Sequence, residues 1–152
     1  MLRLFIFSTG FFIQFLNFSS PIKKQEFDKK YIAMENIKLE ITIGKKVFTA
    51  TLAENATTKS FVAQLPLTLN MNELNNNEKF AQIPKSVPTL ASVPNRIEAG
   101  DLMMYDSSTL VLFYKGFSTS YSYTKIGKID DVTELSSALG KGNVMVKFKW
   151  EK

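Results

Sequence analysis

Residues 37–43 (IKLEITI) alternate without error between apolar and polar side chains, and only Gly44-Lys45 separates them from a second alternating run over residues 46–52. A period of two puts Ile37, Leu39, Ile41 and Ile43 on one face of a half-buried strand. Glycine in the first position of a two-residue loop is what a type II′ hairpin turn requires, so the chain returns with Phe48, Ala50 and Leu52 on the same face. The last run, residues 144–150, repeats the pattern, with Val144, Val146, Phe148 and Trp150 set against Met145, Lys147 and Lys149. A chain that opens and closes this way is committed to sheet.

The intervening sequence adds strands and two short helices. Asn55 offers an N-cap oxygen, Phe61, Val62 and Leu65 fall on one side of a helix, and Pro66 stops it. Residues 67–71 and 78–83 read as strands around an Asn75-Asn76-Asn77 turn, and Pro84, Pro88 and Pro94 then punctuate an irregular stretch. Residues 102–105 and 109–114 are short apolar runs bounded by turn residues, which favours buried strands over helix. Residues 121–129 form one more strand, interrupted at Gly127. Asp131-Val-Thr-Glu134 has the form of a capping box, in which the aspartate accepts from the backbone of Glu134. Val132, Leu135 and Leu139 then make a buried stripe that Gly140 ends. Seven or eight strands with two short helices predict a mainly β fold, a small closed barrel.

Several chemistries drop out with two residue types. The chain has neither cysteine nor histidine, which removes disulfides, thiolate nucleophiles, zinc-finger sites, imidazole bases and a Ser-His-Asp triad. The net charge of +5 is unevenly spread: residues 1–33 hold five bases and two acids, leaving 14 bases and 12 acids, or +2, for the rest. That is an ordinary solvated surface, and no nucleic-acid partner is expected.

Residues 1–33 differ in character from the rest of the chain. Met1-Leu2-Arg3 and the apolar run 4–18 have the layout of a secretory signal. Fifteen residues are short of the ~20 that span a bilayer, so no stable membrane span is expected. Seven of the 13 phenylalanines lie before residue 34, and this change of composition equally fits a true start at Met34. The first reading makes the protein exported, the second cytoplasmic. Residues 1–33 are thus read as a hydrophobic leader with a polar, unstructured linker, and residues 34–152 as the domain.

The order of segments is distinctive: AENATTKSF at 53–61, LPLTL at 65–69, Glu78-Lys79, AGDLMMY at 99–105, LFYK at 112–115 and KIGKID at 125–130. Together they resemble the bacterial cyclophilin-like domain family, proteins grouped by fold without established isomerase activity. The resemblance implies a closed eight-stranded barrel with a helix at each of two openings. It does not carry over catalysis. Cyclophilin isomerases place an arginine well upstream of their Gly-Asp and line the pocket with Phe, Gln, Trp and His. Here Arg96 is the one arginine after Arg3, it lies five residues before Asp101, histidine is absent, and Trp150 is almost C-terminal.

Candidate sites are weighed against simpler roles. Asp101 and Asp106 flank one strand as a carboxylate pair would, but a turn at each end accounts for both. Asp130-Asp131 reads as helix capping, and Gly140-Lys-Gly-Asn143 follows a helix rather than preceding one, so neither is a metal or phosphate site. The aromatic group Tyr105, Tyr114, Tyr121 and Tyr123, with Arg96, Asp101 and Lys125, is the best ligand-binding candidate if the strands are neighbours. No cofactor and no catalytic residue is expected. The resulting expectation is a non-catalytic module that binds a small ligand or peptide. The alternatives are a divergent prolyl isomerase using Arg96 and the tyrosines, and a subunit of a larger assembly.

Overall fold

The computed structural model describes residues 38–150. The expectations for the leader, Met34 and Ile37 lie outside the described residues. Ten strands form: β1 (Leu39–Ile43), β2 (Lys46–Leu52), β3 (Leu67–Leu74), β4 (Glu78–Gln82), β5 (Arg96–Ile97), β6 (Asp101–Met104), β7 (Thr109–Phe113), β8 (Phe117–Ser118), β9 (Thr124–Ile129) and β10 (Val144–Trp150). The helices among the described residues are α1 (Ala56–Val62) and α2 (Leu135–Leu139). Eight strands close a barrel in the order β1-β10-β3-β4-β7-β6-β9-β2, while β5 and β8 pair as a separate two-stranded ribbon. The fold is mainly β, the closed eight-stranded barrel with two short helices that the sequence implies.

Alternation drives the closure. The hairpin β1–β2 turns at Gly44, whose φ of +57° meets the type II′ requirement. In β10, Phe148 stands opposite both Ile41 and Leu67, so one C-terminal strand joins the first hairpin to β3. Ile41, Phe148, Met71, Leu102, Leu112 and Val146 are fully buried in the interior. The Asn75-Asn76 turn between β3 and β4 takes positive φ at both residues, a conformation asparagine tolerates better than most.

Both helices pack their apolar residues into this interior. Asn55 caps α1, its Oδ1 accepting from Thr58 N at 2.7 Å, and Phe61 meets Phe148 edge-on with centroids 6.2 Å apart. Phe148 lies toward the end of β10, whereas α2 runs through Gly140 into the start of that strand, so the helices serve opposite ends of the barrel.

Four details correct the sequence reading. The ninth strand begins at Thr124, with Tyr123 in an isolated bridge to Ser92. Gly127 sits inside that strand rather than interrupting it, because a Cβ there would meet the Thr51 carbonyl oxygen at 2.5 Å. The irregularity is a bulge one step earlier, where Leu102 faces Gly127 and Met103 faces Lys125. Finally, the capping box does not form. Asp131 accepts from Thr133 N at 2.9 Å, a local two-residue turn that competes with the cap. Helix α2 starts only at Leu135, behind a Glu134 that makes no side-chain cap and pairs with Lys46 at 2.6 Å. Val132 is consequently part-exposed while Leu135 and Leu139 remain buried.

Candidate functional site

Inside and outside of the barrel wall alternate along β4 and β7. In β4, Lys79 and Ala81 face inward and Glu78, Phe80 and Gln82 face outward. In β7, Leu110 and Leu112 face inward, as does Tyr114 just beyond, while Thr109, Val111 and Phe113 face outward. A second apolar cluster therefore forms on the outer face, from Ile97, Met103, Val111, Phe113 and Tyr123 with Phe80 and Phe117 against it. The β5–β8 ribbon covers part of this face. What it leaves uncovered is the candidate site.

The uncovered part is a groove of about 460 Å³, within the size range of small-molecule pockets. A chain of rings runs beneath and along it: Tyr121 to Tyr105 at 6.3 Å, Tyr105 to Tyr123 at 5.8 Å, Tyr123 to the fully buried Phe113 at 5.5 Å and Phe113 to Phe117 at 5.7 Å between centroids; Tyr105, Tyr121, Tyr123 and Phe117 line the groove itself. All are tilted or edge-on contacts, the favourable arrangements for aromatic quadrupoles. Tyr105 and Tyr121 remain 49% and 62% exposed, so their ring surface is open to a ligand. Glu78, Asn77, Phe80 and Gln82 line the β4 side.

Glu78 is the unusual member. It is 8% exposed, and its carboxylate has no hydrogen-bond or ion-pair partner among the described residues. Burial, then the charge of Glu73, pushes its carboxyl above the ordinary value of 4.5. On the adjacent residue, Asn77 Oδ1 is buried without a donor among the described residues. The second acid of the groove, Asp106, is fully employed: Oδ1 accepts from Ser108 N at 2.8 Å and Thr109 N at 2.7 Å, and Oδ2 from the Thr109 hydroxyl at 3.0 Å.

A smaller hollow of about 270 Å³ adjoins, lined by Ser92, Pro94, Arg96, Glu98, Asp101, Met103, Tyr123 and Lys125. Tyr123 is the residue the two share. Asp101 is 4% exposed and accepts from Glu98 N at 2.8 Å, with Lys125 Nζ at 4.0 Å. Glu98 pairs closely with Lys128. Arg96 is exposed, and the hollow it lines holds one aromatic ring, that of Tyr123.

The structure thus divides the tyrosine group. Tyr105, Tyr121 and Tyr123 meet in the groove, and Arg96, Asp101 and Lys125 gather next to it. Tyr114 faces the other way. It is buried in the barrel interior, where its hydroxyl donates to both Glu73 oxygens, at 2.8 and 2.9 Å. Burial, then the Glu73 hydrogen bond and charge, pushes the phenol up to about 12. Glu73 also pairs closely with Lys79. Lys79 is 0% exposed and donates to the carbonyls of Gly140 at 2.9 Å and Gly142 at 2.6 Å. Burial opposes ionisation of Glu73, but the hydrogen bonds from Lys79 and Tyr114 outweigh it and hold the carboxyl below 4.5. This triad closes the α2 end of the barrel. Neither Glu78 nor the Lys79–Glu73 pair stands out by residue type alone. The signal for both is parity: if Ala81 and Ile83 point inward, so must Lys79, and Glu78 must point out.

Among known proteins, a family model described as the cyclophilin-like family matches residues 41–149. The solution structure of a hypothetical protein from Archaeoglobus fulgidus is similar in fold. Its TM-score is 0.52 at 16% identity, covering 76% of this chain and 95% of that one. No curated protein matches. No helix among the described residues is long and apolar enough to cross a membrane.

Proposed function

Because the chain belongs to the cyclophilin-like family, we propose that its barrel serves as a non-catalytic binding module that captures a small ligand in the outer groove walled by Tyr105, Tyr121 and Tyr123. The observation that carries this reading is the open aromatic groove itself. Tyr105 and Tyr121 keep about half or more of their surface exposed beside a buried acid, an arrangement that packing alone does not call for. A prolyl isomerase needs a cation set over the bound proline within an apolar pocket. The arginine here lies in the neighbouring hollow, which shares only Tyr123 with the groove.

Two measurements on the full chain test the proposal. A protease-coupled prolyl-peptide assay is expected to show no acceleration above background. A thermal-shift screen of small aromatic compounds is expected to yield stabilisers whose effect is lost in Tyr121→Ala, a substitution at a 62% exposed residue. A robust isomerase rate that Arg96→Ala abolishes would replace the binding module with an isomerase. Stabilisers indifferent to Tyr121→Ala would move the site elsewhere.

A further inference from the structure

The groove is an acidic place on a basic protein. Its lining includes Glu78 and Asp106 and no lysine or arginine among the described residues, whereas residues 34–152 together carry +2. Asp106 is held as a carboxylate by the backbone N–H groups of its own turn. Glu78 is not: the residue is 8% exposed, its carboxylate has no hydrogen-bond or ion-pair partner among the described residues and opens into the groove, and the side-chain Oδ1 of Asn77 beside it in sequence is buried without a donor among the same residues. A carboxylate on a mostly buried residue is ordinarily paired, since even partial desolvation disfavours its charge. Here the interior of the same barrel shows the ordinary solution, with Glu73 held by Lys79 and Tyr114. Five residues along the chain, the outward carboxylate has been left without one.

Aromatic faces add to the same preference. A ring carries negative charge on its face, so Tyr105, Tyr121 and Phe117 attract a cation and shelter its carbon frame. From these observations we infer that the groove binds a small organic cation, an alkylammonium or guanidinium group set against Glu78 with its apolar portion on Tyr105, Tyr121 and Phe117. The inference rests on the groove being the binding site and adds the class of ligand. A small molecule rather than a peptide is favoured because the groove, at about 460 Å³, has the size of a small-molecule pocket, and all eight barrel strands are already paired on both sides, leaving the barrel no edge for a peptide strand to extend.

The test uses matched probes that differ only in the head group: phenethylammonium and its neutral counterpart 2-phenylethanol. They are titrated into the full chain and followed by amide and aromatic NMR shifts. The ammonium is expected to bind at least about tenfold more tightly than the alcohol, as a charge-assisted contact in place of a neutral one implies. In Glu78→Gln that preference is expected to shrink to the small part the aromatic faces supply, while alcohol binding is unchanged. Equal affinity for the two probes, or a preference undiminished in Glu78→Gln, overturns the cation assignment and leaves the groove standing. Absence of shifts at Tyr105, Tyr121 and Glu78 with either probe overturns the groove itself, and the assignment with it. Tighter binding of a capped lysine peptide than of phenethylammonium overturns the choice of a small molecule. A Tyr121→Ala control, expected to weaken both probes alike, separates loss of the aromatic wall from loss of charge.

Discussion

Replacing Lys79 with methionine keeps the length and apolar stem of the side chain and removes only its ammonium group. Lys79 is 0% exposed and binds the Glu73 carboxylate and the carbonyls of Gly140 and Gly142. Without it, two carbonyls at the closed end of the barrel lose their donor, at about 1–3 kcal/mol each when nothing replaces it. Glu73 keeps the Tyr114 hydroxyl, and its side chain is 20% exposed, so the carboxylate adds less than a fully sealed one would. The expected loss is about 3–5 kcal/mol, the range for breaking a buried pair from one side. That is a large part of the ~5–15 kcal/mol that holds a typical domain together. Adding Glu73→Leu removes the orphaned carboxylate. The double variant should therefore be more stable than the summed single effects predict, by about 1–3 kcal/mol. Urea unfolding with a constant m-value reads all four corners of the cycle. A Lys79→Met variant within about 1 kcal/mol of the parent, or strict additivity in the double variant, would show that the Lys79–Glu73 pair does not hold this end of the barrel.

The outward acid should behave in the opposite sense. Its carboxyl is raised by burial and by Glu73, so the unfolded chain gives up this proton first and the charge burdens the folded state as pH rises past 4.5. Glu78→Gln should then stabilise the protein at pH 7 and lose that advantage in acid, whereas a loss of more than about 1 kcal/mol at neutral pH would show a hidden partner. Tyr114 stays protonated in the folded state up to about 12, against 10.0 for an unperturbed phenol. Stability should accordingly fall between those values, and the fall should be shallower in Tyr114→Phe; equal slopes in the two proteins would place that hydroxyl in water. Gly127→Ala would set a Cβ 2.5 Å from the Thr51 carbonyl and force β9 away from β2, costing about 1–3 kcal/mol by urea unfolding. An unchanged midpoint there would contradict the register of that pair.

Where one face of a strand is dry and the other wet, period two made the strand legible. Residues 37–43, 46–52 and 144–150 are of this kind, and β1, β2 and β10 follow them closely. Strand β7 is buried on both faces, because the β5–β8 ribbon and the second cluster cover its outside. Its run of apolar residues thus conceals which side chains point inward, and Tyr114 could not be separated from Tyr105 and Tyr123 by sequence alone. The ribbon itself has two residues per strand, too few for any periodic signal. At Asp131 the cap was misread because the same oxygen can serve a nearer amide, that of Thr133. Lys79 and Glu78 were hidden by their ordinary residue types, and the parity that distinguishes them depends on Ala81, a weak hydrophobic marker.

Ligand capture in the groove, rather than in the Arg96 hollow beside it, is what we propose. Its most direct measurement is an assigned amide NMR map of the domain during titration with a set of small aromatic fragments, with each perturbation assigned to a residue. Shifts are expected to concentrate at Asn77, Glu78, Tyr105 and Tyr121, with Ser92, Arg96 and Lys125 unmoved. Shifts centred on Arg96 and Lys125, with Tyr121 and Glu78 silent, would contradict it.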